Sequence, residues 1–492
     1  MTDVIVRNII GKYYEVASKK TLTAKNLEAL GATRLSELVM EITKGDIEAK
    51  RHLRLELAGA QGSGEVAREI RKRLSAIARS NSFVEWDKIK KLIKDLEVQR
   101  SAIINHVVED DPPEALELMW RFVALASSVF ARCDDGSGRV GDVFHCAVDD
   151  LGEIAIVANP DPNYLAAQVF NALIENDYGQ YDFLIRSVTP ALGLKGLDIL
   201  KKQVVDFSKE PMSKPINRDV IGYGSSGPLY ADDYAKRRRE SMVNLALLEI
   251  ADAQGDVDAY IAQKSDNAKT VPAVAAEIAG RLLAVGRIEE AWNAIEAVDE
   301  DRRGWIPFEW EQIRIEVLEA MDRQDEAQDF RWLCFERSLN GSHLRSYLKH
   351  LPDFDDMDAE DRAMELVLLY PSIYQSLNFF TLWPNIDKAA ELVLSRANEL
   401  DGDHYETLTT AADALEEKYP LAATLVRRAL IDFALIKGRS TRYKHAARHL
   451  HECENLANTI DDFQSFETHD AYLDRIKVEH SRKSMFWGLV AK

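Results

Sequence analysis

His445, His449 and Cys453 stand four residues apart and form the sharpest chemical pattern in the chain. A helix turns about 100° per residue, so the three side chains project within one arc. Two histidines at i and i+4 can share a metal ion. No Glu completes an H-E-x-x-H pattern here. Ala446, Leu450, Ala457 and Ile460 place the apolar side of this helix nearest Cys453. Cys453 is therefore expected to face a core, with the two histidines at its edge. Free cysteine behaves most often as a small buried hydrophobe. Packing and hydrogen bonding explain the trio better than a metal site, and no metal or cofactor is expected.

Arg427, Arg428, Lys437, Arg439, Arg442, Lys444 and Arg448 surround the same segment. Together with His445 and His449 they make the candidate binding patch. Such a cluster could hold an acidic partner segment or a phosphate. The commoner outcome is a solvated face that counters neighbouring carboxylates such as Glu416 and Glu417. A second pattern, Gly136 to Gly141, precedes a helix, and its amides could cradle an anion. It lacks the Walker lysine and serine, and its flanking Asp134, Asp135 and Asp142 miss the EF-hand spacing. Lys236 to Arg239 read as a solvated face or a contact to another domain. No nucleophile elbow, kinase signature or dinucleotide fingerprint occurs. No catalytic residue is assigned, and an enzyme with an unrecognised site stays only as an alternative.

The elements that must position these residues read as helices throughout. Short helical patterns cover 26–30, stopped by Gly31, and 32–44, stopped by Gly45. Asp46 caps the next helix, and 65–79 continues. A long helix is expected over 85–107, with Trp86, Ile89, Leu92, Ile93, Leu96, Ile103 and Ile104 as its apolar stripe. Asp111-Pro112-Pro113 opens a helix running to about Cys133, Asp142 caps one to about Val157, and Asp161-Pro162 opens another. Residues 208–230 hold three prolines and three glycines and mark a boundary or long loop.

From Leu247 onward a repeat appears. Alanines 259, 291 and 327 are spaced 32 and 36 residues apart, and Ala390 and Ala423 are 33 apart. The tetratricopeptide period is about 34. A small residue there lets the second helix of a hairpin pack closely on the first. The 63 residues from Ala327 to Ala390 fit two units, the middle one degenerate. The expected fold is all-α: a tetratricopeptide-like stack of helical hairpins (an α-solenoid) preceded by an N-terminal helical domain. The expected division is an extension over 1–22, a helical domain over 23–207, a linker over 208–240, repeats over 241–460 and a C-terminal cap or tail over 461–492.

The net charge of −20 in 492 residues disfavours a general nucleic-acid coat. One stretch departs from it: residues 50–100 carry thirteen Lys/Arg against seven Asp/Glu. Four scattered cysteines without a C-x-x-C pair suit a reducing compartment. No run of 18 apolar residues occurs, so no membrane span is expected and the default address is the cytoplasm.

Four stretches carry a family resemblance: KTLTAKNLEALG near the start, ARCDDGSGRVGDVF at 131–144, YPLAATLVRRALIDFALIKGRSTRYKHAARHLHEC at 419–453, and HSRKSMFWGLV at 480–490. Over most of the chain, from about Ala17, it resembles a family of uncharacterised bacterial helical proteins, a domain of unknown function related to helical regions that accompany SWIM zinc fingers. The resemblance implies no known activity. The SWIM cysteine and histidine pattern is missing, so a zinc-finger role is not implied. The resemblance implies a start near Ala17-Ser18-Lys19-Lys20, which makes a valine-coded start at Val16 an alternative to Met1. The function this supports is an interaction scaffold for another protein or a peptide. A nucleic-acid-associated role for the basic helices of 50–100 is the alternative.

Overall fold

The computed structural model describes residues 21–212, 219–224, 227–298 and 306–491. The expectation for the N-terminal extension falls almost wholly outside the described residues, as do 213–218 and 225–226 of the expected linker. The chain divides into two compact units, 1–264 and 265–492.

In the first unit the described helices are α1 (Ala24–Glu28), α2 (Gly31–Ile42), α3 (Ile47–Gly59), α4 (Ser63–Ala78), α5 (Ile89–His106), α6 (Pro112–Val123), α7 (Ala126–Phe130), α8 (Arg139–Ala158), α9 (Pro162–Ile174), α10 (Leu184–Lys209), α11 (Ala231–Gln254) and α12 (Val257–Ala262). An antiparallel hairpin, β1 (Val220–Gly224) with β2 (Gly227–Tyr230), is the one sheet among the described residues. One continuous apolar core runs from Leu55 to Ile250. Its centre is the packing of α8 and α9 on α10, with α6 laid across α8. Gly152 makes the α8–α10 approach so close that a Cβ there would sit 2.3 Å from the Ser187 carbonyl oxygen.

Several local expectations hold, and several shift. Asp46, Asp111 and Asp161 accept hydrogen bonds from the first-turn amides of α3, α6 and α9. Gly31 begins α2 instead of ending α1. The helix expected from Pro112 to Cys133 breaks at Ala124–Leu125. Trp86 is not in the apolar stripe: residues 86–88 form a 3₁₀ turn, and its side chain is 82% exposed. α8 begins at Arg139, before the expected cap at Asp142, because the Asp135 carboxylate accepts from the amides of Val140 and Gly141 at 3.0 and 2.8 Å. The amide cradle of the glycine loop is thus filled by the chain's own carboxylate.

α11 packs on α10 and α9, which places Glu249 beside Asp182 and Asp252. Burial, then repulsion from these two carboxylates, raises the Glu249 carboxyl from 4.5 to about 7. The folded state therefore holds this proton more tightly than the unfolded chain. Stability from this group is full below about pH 4.5 and is lost as pH rises towards 7. Glu249→Gln should remove about 2 kcal/mol of the pH-dependent destabilisation. Urea unfolding of both proteins at pH 5 and pH 8 checks this, and equal pH slopes would contradict it.

The second unit contains α13 (Asp266–Lys269), α14 (Pro272–Ala284), α15 (Ile288–Glu296), α16 (Phe308–Ala320), α17 (Gln324–Ser338), α18 (Gly341–Lys349), α19 (Asp355–Leu369), α20 (Ile373–Leu382), α21 (Ile386–Ser395), α22 (Tyr405–Leu415), α23 (Pro420–Ile436), α24 (Tyr443–Ala457), α25 (His469–Glu479) and α26 (Ser484–Val490). From α14 to α25 each helix packs on its neighbour in sequence, and α26 packs back on α24. At several steps a helix also packs on the next but one, as for α14 on α16, α20 on α22 and α21 on α23. This is the pattern of stacked helical hairpins, in which each unit buries its face against the next. The repeated alanines carry that packing: Ala291, Ala327, Ala390 and Ala423 all lie buried on the second helix of a hairpin. The degenerate middle unit is the α18–α19 hairpin. Tight turns recur between paired helices, where Gly286 and Asp322 both take left-handed backbone conformations. The first copy read from the sequence, around Gly255 and Ala259, is the α11–α12 hairpin and belongs to the first unit.

Candidate functional site

α23 is apolar on nearly every side and runs through the end of the hairpin stack, which decides the fate of the basic patch. Arg427 and Arg428 are interior residues, 1% and 5% exposed. The Arg427 guanidinium pairs with Glu416, lies 3.3 Å from Asp413 and has its Nε 3.4 Å from a Glu452 oxygen. Arg428 donates to the Glu467 carbonyl oxygen at 2.7 Å and stacks 4.4 Å over the Tyr472 ring. Burial holds the Arg428 guanidinium below its ordinary value.

His449 is buried as well. Its Nδ1 lies 2.8 Å from Glu452, and burial lowers its pKa. Cys453 donates to the Thr424 carbonyl oxygen at 3.9 Å, and its thiol is pushed up to about 12 by burial. That is the opposite of what a nucleophile needs. His445 is exposed, so the trio splits between core and surface. The structure thus keeps Cys453 in the core, as expected, and draws His449 in with it.

Arg427 is therefore a structural residue. Removing it strands three carboxylates, but these are partly open to water, so the loss is smaller than for a wholly buried pair. Arg427→Ala should lower stability by about 2 kcal/mol, against less than about 0.5 kcal/mol for the exposed Arg448→Ala. Chemical denaturation of the two variants would show the difference, and equal midpoints would contradict it.

The remaining members of the patch, exposed apart from half-buried Arg442, separate into two places. Lys437 borders a cavity of about 680 Å³ beside α23, whose wall includes Asp432, Tyr472 and Arg475. Tyr472 donates to Asp432 at 3.0 Å, and Arg475 lies 3.3 Å from the same carboxylate, so this wall is internally paired. Arg442, His445 and Arg448 line a second groove, of about 620 Å³, with buried His449 in its lining. Arg439 and Lys444 are exposed and line neither space.

The second groove runs between α22 and α24. One wall offers the hydroxyls of Tyr405, Thr409 and Thr410 together with the Glu406 carboxylate, which accepts from the Tyr405 hydroxyl at 3.0 Å, and the other offers the three basic side chains. Arg442 is held by Asp403 at 3.2 Å and by the Gly402 carbonyl oxygen at 3.3 Å, over the Tyr405 ring at 4.9 Å. Arg448 lies 3.3 Å from Glu452. The α22 wall went unseen in the sequence because no local pattern links 405–410 to 442–448. Only the packing of successive hairpins joins them.

Residues 17–489 match the family described as "Family of unknown function (DUF6880)". The chain belongs to that family. The match takes in the four stretches that carried the resemblance, all but Val490 at the end of the last. No curated protein matches. Among solved structures, a "Circular tandem repeat protein with novel repeat topology and enhanced subunit contact surfaces" shares 15% identity over 96% of both chains, at a TM-score of 0.12. Membership of a family without assigned activity leaves function to be argued from the groove itself. Among the described residues, no helix is long and apolar enough to cross a membrane.

Proposed function

We propose that this protein is an interaction scaffold whose groove between α22 and α24 binds an acidic segment of a partner protein. The observation that carries the reading is the placement of three basic side chains, Arg442, His445 and Arg448, along one wall of an open groove, opposite three hydroxyls and a single carboxylate, Glu406. Stacked helical hairpins, tetratricopeptide-like arrays among them, commonly bind peptides on such surfaces. The cations have local partners, Asp403 and Glu452, but exposed pairs of this kind are worth about 0–1 kcal/mol each. A partner's carboxylates exchange for them at little cost. The four cysteines are free, which fits a cytoplasmic scaffold.

The basic helices of residues 50–100 support a nucleic-acid role less well. Arg71, Arg73 and Arg100 already contact Glu114, Asp95 and Asp150. Exposed Trp86, near Lys88, is the feature that favours it.

Fluorescence anisotropy with a labelled Glu/Asp-rich peptide tests the proposal. The expected result is saturable binding that weakens with salt and falls at least tenfold in Arg442→Glu/Arg448→Glu. Equal binding by the double variant would contradict it, and so would preference for an oligonucleotide competitor lost in Trp86→Ala.

A further inference from the structure

We propose that Glu311, Cys334 and His343 form a binding site for one divalent transition-metal ion of the zinc type. The three come from successive helices: Glu311 from α16, Cys334 from α17 and His343 from α18. All three are buried, and one ligand atom from each lies within 4.8 Å of the others. His343 Nε2 is 2.7 Å from a Glu311 oxygen. Arg337 contacts the other oxygen of Glu311 and so fixes the carboxylate from outside the cluster, as outer partners do for metal ligands.

A thiolate, an imidazole and a carboxylate suit zinc or cobalt and are a poor set for magnesium or calcium. Zinc bonds of about 2.0–2.3 Å place ligand atoms ~3.3–3.8 Å apart around a tetrahedron. Shifts of a fraction of an ångström to about one ångström bring these donors to that spacing. Binding releases the Cys334 thiol proton to solvent and forms the metal–sulfur bond. The thiolate and the Glu311 carboxylate then balance the dication.

Coordination through His343 Nε2 would join three helices through one ion, while the buried Nδ1, which has no hydrogen-bond partner, takes no part in it. The rival reading is a nucleophilic Cys/His/Glu triad. Burial pushes the Cys334 thiol up to about 12, and all three residues are shut from solvent, so that chemistry is not supported.

The test uses the full chain, stripped with a chelator and titrated with cobalt(II) alone. The expected result is one equivalent of bound cobalt with a thiolate-to-metal charge-transfer band, displaced by one equivalent of zinc(II). The band should vanish in Cys334→Ser and His343→Ala and persist in Cys146→Ser, whose thiol is exposed. Zinc affinity should fall at least a hundredfold in Cys334→Ser. X-ray absorption of the zinc-loaded wild type needs no variant and should show one sulfur neighbour with nitrogen and oxygen. A zinc shell without sulfur, a band that survives Cys334→Ser, or no stoichiometric binding overturns the proposal.

Discussion

Phe486→Ala is expected to destabilise the second unit by about 3–5 kcal/mol, the range for deleting a wholly buried aromatic. Phe486 is 0% exposed. Its ring meets Tyr443 and Trp487 at centroid distances of 5.9 and 5.0 Å, within a cluster that includes Ile431, Leu435, Leu450 and Ile476. Trp487 donates its Nε1–H to the His480 carbonyl oxygen at 2.9 Å, which anchors α26 against the end of the chain's last helices. A hairpin stack must cover the apolar face of its terminal unit, and α26 does this over α24. Urea denaturation and light scattering measure the outcome together: a lowered midpoint with new aggregation. An unchanged midpoint would show that the tail is an exposed motif instead of a cap.

Gly402→Ala should cost about 3 kcal/mol or more, although it adds one methyl group. A Cβ at this position would stand 2.3 Å from the Ala429 carbonyl oxygen and 2.8 Å from the Leu430 Cα. Both atoms belong to the backbone of α23, so relief requires moving a helix and not a side chain. Gly402 also lines the α22–α24 groove, and its carbonyl accepts from Arg442. The variant should therefore lose peptide affinity as well as stability. Gly64→Ala is the control: it lies in α4 with nothing within 4 Å of the new Cβ, and a helix favours Ala over Gly by about 0.5–1 kcal/mol. Thermal melts of the two variants should move in opposite directions, and a Gly402→Ala protein as stable as wild type would refute the close approach.

The helices were legible where the signal is local. Asp46, Asp111 and Asp161 announce their helices because a cap needs only residues two or three positions away. The alanine spacing worked for a similar reason, since each hairpin packs on its neighbours in sequence. Contacts of longer reach leave no local pattern. Asp135 starts α8 from outside the helix, so Asp142 looked like the cap. Arg427 was matched to Glu416 but expected on a solvated face, and Arg428 looked like a surface charge because its partner, the Glu467 carbonyl, stands 39 residues away. Glu311 and His343, 32 residues apart, form no pattern at all until three helices stack.

The most direct measurement is amine-reactive cross-linking of the nuclease-treated complex recovered from its native cell, with the linked lysines read by mass spectrometry. Lys444 is exposed on α24, the helix that carries the basic wall of the groove. If the groove holds the partner, links at Lys444 survive nuclease and disappear in Arg442→Glu/Arg448→Glu. Links concentrated at Lys88, Lys90, Lys91 and Lys94, and lost on nuclease treatment, would contradict it.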